Sequence, residues 1–161
     1  IGHMVLCDAY NVKGSYSDAS KASLEALKIA EKDGNKRGMA FAHKGIGVSY
    51  ANLMDYKTAL KEYETARENF FLASDTIDAN DMLFVIGIAQ TQIKEYDKAL
   101  NSFINCRDLS IKQKDIEGLH LVNNELISIY RMMKNYDKAL VVAKESYAYF
   151  KEEFLKHYKA N

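Results

Sequence analysis

The chain has no proline and no tryptophan, only two cysteines, and eight glycines in 161 residues. Without proline the strongest helix stop is missing, and few glycines leave few obligatory breaks, so long helices joined by short turns are favoured over a sandwich or barrel. Cys7 and Cys106 are too few for a disulfide framework or a cysteine-based zinc site, and they fit a reducing compartment. No run of ~18 apolar residues and no secretory h-region is found, so neither a membrane-spanning helix nor a signal peptide is expected. Twenty-two basic residues balance twenty-two acidic ones, which removes the cationic surface that a general nucleic-acid or anionic-membrane binder needs. What is present, 48% apolar, 27% charged and 11% aromatic residues, describes one soluble globular domain, expected to be cytoplasmic. The opening Ile1-Gly2-His3-Met4 reads as a tag scar, so the domain is taken as 5–161.

Self-similarity is the main signal. Tyr16-x-x-Ala19, Tyr56-x-x-Ala59, Tyr96-x-x-Ala99 and Tyr136-x-x-Ala139 recur forty residues apart without slippage. Upstream, Leu6, Ile46, Ile86 and Leu126 form one column, and Tyr10, Tyr50, Gln90 and Tyr130 another. Gly47 and Gly87 share a column with Cys7 and Ile127; downstream, Tyr63, Phe103 and Ala143 align, then Ala26, Ala66, Cys106 and Ser146.

Within a unit the apolar spacing is helical, as in Ala59, Leu60, Tyr63, Ala66 and Phe70 or Met39, Ala42, Ile46, Tyr50 and Leu53. Each unit is therefore a helix pair. Asn35, Asp75 and Asp115 stand where an N-cap would accept the free N–H groups of each first helix. Helices are expected near 3–13, 17–32, 36–53, 56–73, 76–93, 97–113, 116–133 and 137–158, in units near 5–34, 35–74, 75–114 and 115–161.

These columns resemble the tetratricopeptide repeat. The second unit reads His43, Ile46-Gly47, Tyr50, Tyr56, Ala59, Tyr63, Ala66, and the third Leu83, Ile86-Gly87, Gln90, Tyr96, Ala99, Phe103, Cys106. The resemblance implies an all-α, right-handed superhelical solenoid of antiparallel helix pairs, with the first helix of each pair lining a concave binding face. Two departures stand out. The proline near the end of the family's second helix is replaced by Glu31, Phe71, Ile111 and Lys151, and the period is forty rather than the common ~34, with the added residues expected to lengthen both helices. Long units of this kind resemble those of bacterial signalling proteins, including peptide-pheromone receptors and sensor modules beside kinase or transcription-factor domains; kinesin-light-chain-like repeats are also long.

No catalytic constellation outweighs its plainer explanation. Glu117 and His120 have the i, i+3 spacing of half a di-iron set with no second half. Asp75, Asp78, Asn80 and Asp81 lack the glycine and glutamate of a calcium loop, since Asn80 and Ile86 stand there, and read as helix capping. Gly45 and Gly47 fall inside a helix, not a phosphate loop. Cys7 and Cys106 read as buried structural thiols, His43 as a packed core residue, and the eleven tyrosines as core columns rather than a base-stacking platform. No metal or other cofactor and no enzymatic activity are expected.

Binding remains. One helical turn apart on the first-helix face lie Phe41, Lys44, Val48 and Asn52, then Asp81, Phe84, Ile88 and Gln92, then Leu121, Asn124, Ser128 and Arg131. Lys44, Val48, Asn52, Phe84, Ile88, Gln92, Asn124, Ser128 and Arg131 are the candidate site, because amides pair with peptide backbone while apolar neighbours exclude water. Lys44 matches one lysine of the repeats that clamp acidic chaperone tails, but Val48 replaces the required asparagine, so that clamp is not expected. Tyr147, Phe150, Phe154, Leu155 and Tyr158 leave the last helix apolar, and Val5 starts partway into the first. Both ends are expected to be cut from a longer array, or the terminal face to mediate homodimerisation. The expected function is a non-enzymatic protein- or peptide-binding module, the sensor or scaffold of a larger bacterial signalling protein, with a structural spacer as the alternative.

Overall fold

The computed structural model describes residues 2–159, with side chains at 5–153 and 155. Eight α-helices, and no strand among the described residues, follow in order: α1 (Gly2–Lys13), α2 (Tyr16–Lys32), α3 (Lys36–Asn52), α4 (Tyr56–Leu72), α5 (Thr76–Gln92), α6 (Tyr96–Gln113), α7 (Ile116–Met132) and α8 (Tyr136–Lys159). The expected helices match these within a residue or so at each end. The chain divides into two compact units, one ending at Glu95 and holding α1–α5, the other starting at Tyr96 and holding α6–α8.

The joints between helices follow a shorter period than the sequence columns suggest. Gly14, Gly34, Met54, Ser74, Lys94, Lys114 and Lys134, spaced twenty residues apart, all have φ between 58° and 79°. Each stops its helix in the left-handed region, and the following N–H turns back to the last helical turn. Asn35 N–H donates to the Ala30 carbonyl at 2.8 Å and Asp115 N–H to that of Ser110 at 2.9 Å, with the same bond at Ser15, Asp55, Asp75, Glu95 and Asn135. This is a Schellman ending, which satisfies the carbonyls a helix leaves orphaned.

The residue that closes one helix also opens the next. Asn35 accepts from the N–H of Gly38, Asp75 from Asp78 and Asp115 from Gly118, as the sequence implies. Asp55 and Asn135 cap α4 and α8 in the same way, through the N–H groups of Thr58 and Lys138. With a stop and a start compressed into three residues, no proline is needed, and α2, α3, α4, α5 and α7 each run to seventeen residues.

In the first unit, Ala40, Ala59, Tyr63, Ala66, Phe70, Ala79, Met82, Ile86 and Ala89 form one buried cluster. Its small residues let helix axes approach while Tyr63 and Phe70 fill the space between them. Gly47 shows how close the approach is, because a Cβ there would come within 2.6 Å of the Tyr63 ring. In the second unit the buried apolar side chains include Ala99, Phe103, Leu119, Val122, Leu126, Ile129, Ala139 and Val142. An Arg107–Glu145 ion pair at 2.7 Å joins α6 to α8, and the buried Asn123 amide donates to Ser146 Oγ at 3.3 Å.

Candidate functional site

Most side chains that could carry chemistry are occupied in holding the helices. Asp75 and Asp78 sit at the start of α5, where the Arg37 guanidinium of α3 reaches both, with Nε 2.7 Å from Asp75 and Nη2 3.2 Å from Asp78. The Asp78 backbone N–H, with help from the Arg37 charge, holds the Asp75 carboxyl below the usual carboxylate range. The acidic cluster is thus a cap and an ion pair. His43 is half-buried, its Nδ1 2.7 Å from Glu62 Oε2 on the paired helix. His120 contacts Asn124 Nδ2 at 3.2 Å and stacks edge-on against Phe150, 5.4 Å between ring centroids. Gly45 and Gly47 lie within α3, Cys7 is buried and Cys106 only half-buried. Among the described residues no group of three or more His, Cys, Asp or Glu side chains could hold a metal ion. Nor is any described helix long and apolar enough to cross a membrane.

The candidate binding residues fall on three helices. On α3, Lys44 and Val48 are half-buried and Asn52 is exposed; on α5, Phe84 and Ile88 are half-buried and Gln92 is exposed. α3 and α5 therefore each carry a half-buried apolar group with an exposed amide at the end of the helix. Val48 leans on the core cluster, as does Phe41, whose ring meets Phe70 edge-on at 4.9 Å and carries the Arg37 guanidinium at 5.4 Å. In the second unit, Asn124 and Arg131 are exposed and Ser128 is half-buried, all on α7. Arg131 lies in the last turn of its helix, where a cation is favoured by the helix dipole.

Lys44 and Val48 share a cavity that the sequence columns do not announce. About 170 Å³ in volume, it lies between α1, α2 and α3 and is also lined by Cys7, Asp8, Asn11, Ser23, Phe41 and Gly45. Ser23 Oγ donates to Cys7 Sγ at 2.9 Å, and Asn11 Nδ2 is 3.5 Å from the same sulfur. The available signal was Ser23 itself, which holds the position of Tyr63 and Phe103 forty and eighty residues on.

Of the terminal apolar face, Tyr147 is 70% and Leu155 44% exposed, whereas Phe150 is half-buried against His120. The side chains of Phe154 and Tyr158 lie outside the described residues.

No family model and no curated protein matches the chain. Solved structures do. BtubC (BKLC) from P. vanneervenii superposes with a TM-score of 0.80 at 17% identity, over 91% of this chain and 61% of that one. RapI in its apo form superposes with a TM-score of 0.81 at 18% identity, over 89% of this chain and 40% of that one. The chain thus spans about three fifths and two fifths of the lengths of these two proteins. The likeness shows the fold, an all-α helical-repeat solenoid.

Proposed function

We propose that the chain is a non-enzymatic tetratricopeptide-like module that binds an extended peptide or protein segment on the first-helix faces of its pairs, as the sensor or scaffold part of a larger bacterial signalling protein. The observation that carries this reading is the pairing of half-buried apolar groups with exposed amides one turn further along, Val48 with Asn52 and Ile88 with Gln92. Apolar surface excludes water while an amide beside it exchanges both a donor and an acceptor with a peptide backbone. Candidate catalytic groups are absorbed by caps, ion pairs and ring contacts, which supports binding over turnover. The structural likeness to apo RapI fits the same reading. The balanced charge supports a protein partner over nucleic acid or membrane, and a cytoplasmic site agrees with a cysteine count of two.

Peptides selected from a random-sequence library on the wild-type chain test the face. Affinity should fall at least tenfold in a variant carrying Lys44→Glu, Asn52→Ala and Gln92→Ala with an unchanged thermal midpoint. Equal affinity in that variant would remove these residues from the site.

The exposure of Leu140, Val141 and Tyr147 on α8 favours a second reading, a spacer that dimerises through its last helix. Sedimentation over a hundredfold concentration range decides it, since a monomer throughout leaves no room for such a dimer.

A further inference from the structure

We propose that the cavity between α1, α2 and α3 is an anchor pocket for a tyrosine-like phenol side chain of the bound peptide, an inference that rests on the peptide-binding reading above. It begins with two columns that share one job. In the second forty-residue repeat unit, 35–74, Gly47 and Tyr63 fit together, the glycine giving room to the ring. The third unit keeps the same combination as Gly87 and Phe103, and the fourth exchanges it for Ile127 and Ala143, moving bulk from one helix to the other. Swaps that conserve volume keep a core filled. The first unit breaks the rule. Cys7 and Ser23 are both small, so no ring stands at the Tyr63 position, although Tyr10 packs against Cys7, Ala19 and Ala22 nearby, and the 170 Å³ cavity lies beside Cys7 and Ser23.

An apolar cavity of ~150 Å³ is large enough to take benzene, so the space fits one six-membered ring. Phe41 and Val48 offer that ring apolar walls, and Phe41 is held in place by Phe70 and Arg37. One polar group selects among rings. Asn11 Oδ1 is shut off from solvent and has no hydrogen-bond partner, although the nitrogen of the same amide points to Cys7. A buried acceptor without a donor is costly, and a phenol O–H supplies the donor whereas a phenyl ring does not. Lys44 and Asp8 add a cation and an anion to the lining, suited to the carbonyl and N–H groups of the peptide that carries the ring. The partner thereby supplies the ring that is missing at position 23.

The probe is p-cresol, compared with toluene, titrated into the whole chain and followed by the chemical shifts of the Val48 methyl groups. The wild-type chain should bind p-cresol roughly tenfold more tightly than toluene, the size of effect expected when a buried acceptor gains its donor. Asn11→Leu should abolish the preference while keeping the toluene site. Cys7→Gly with Ser23→Tyr rebuilds the ring inside the chain and should abolish binding of both probes while raising the thermal midpoint. Absence of p-cresol binding to the wild-type chain overturns the proposal, as does equal binding to the rebuilt variant. Should the rebuilt variant not fold, the Asn11→Leu comparison decides alone, and an unchanged preference for p-cresol in it overturns the proposal. A rebuilt variant that loses p-cresol yet binds the selected peptides like wild type overturns the anchor role and leaves the binding face standing. Selected peptides that lose affinity when their tyrosine becomes alanine support it.

Discussion

The first and second helix pairs are built to one plan, with a left-handed residue at the joint, the same Tyr-x-x-Ala start to the second helix and the same register, yet they use their interior differently. In the second pair Tyr63 is 4% exposed and presses on Gly47, so the space is filled from within. In the first, Ser23 and Cys7 hydrogen-bond to each other beside a cavity. One pair spends its interior on stability and the other keeps part of it open. The difference shows that a repeat can hold a cavity where a small residue stands in place of a ring, with no change to its backbone plan.

Tyr63→Ala should give the largest effect, because it empties in the second pair what the first pair already lacks. A buried aromatic replaced by alanine costs about 3–5 kcal/mol, whereas Ser23→Ala should cost less than about 1 kcal/mol, and urea unfolding of both variants measures the contrast. Similar losses in the two variants would break the comparison.

The next effect depends on pH. Burial pushes the Tyr63 hydroxyl up to about 12, while in the unfolded chain a tyrosine ionises near ~10. The folded state keeps the proton that the unfolded state gives up, so the contribution of Tyr63 is intact below the lower value and is lost as pH rises to the upper one. The loss amounts to about 2–3 kcal/mol. Unfolding measured at several alkaline pH values should show a shallower decline in Tyr63→Phe than in wild type; identical slopes would mean that the ring's hydroxyl is hydrated.

Gly47→Ala comes third. The added methyl would meet the Tyr63 ring at 2.6 Å and the Ala59 carbonyl oxygen at 3.3 Å, so one of them must shift, at a cost of about 1–3 kcal/mol. The joints give the smallest effect, with opposite signs in the two pairs. Gly34→Ala puts a side chain on a residue with φ of 64° and should destabilise by about 1 kcal/mol, whereas Met54→Gly relieves the same strain at φ 62° and should stabilise by up to about 1 kcal/mol. Thermal melts of the two single variants compare them directly.

Helix positions and three N-caps were legible in the sequence because Asn35, Asp75 and Asp115 combine a chemical type with a fixed offset. Asp55 and Asn135 stand in a forty-residue column of their own, just before Tyr56 and Tyr136, but Ser15 and Glu95 share that column and blur its capping signal. The candidate face was legible as a spacing and not as a degree of burial, since whether Val48 is half-covered depends on neighbours far along the chain. The cavity was hardest to read. Ser23 is an ordinary residue in an alanine- and serine-rich helix, and its meaning appears only when it is paired with Cys7 and set against Gly47 and Tyr63. A void is a relation between two positions, so no single column reveals it.

The twenty-residue joint also bears on how the chain comes apart. Each joint closes one helix and opens the next with local bonds, to which Asp75 adds its pair with Arg37, and within each unit neighbouring helices in sequence make most of the contacts between helices. The smallest piece bounded by joints is therefore one helix, and not the forty-residue pair, although freeing α8 also breaks the Arg107–Glu145 pair with α6. In native-state hydrogen exchange such a chain would lose protection from an end in steps of a single helix, each step ending at a left-handed residue.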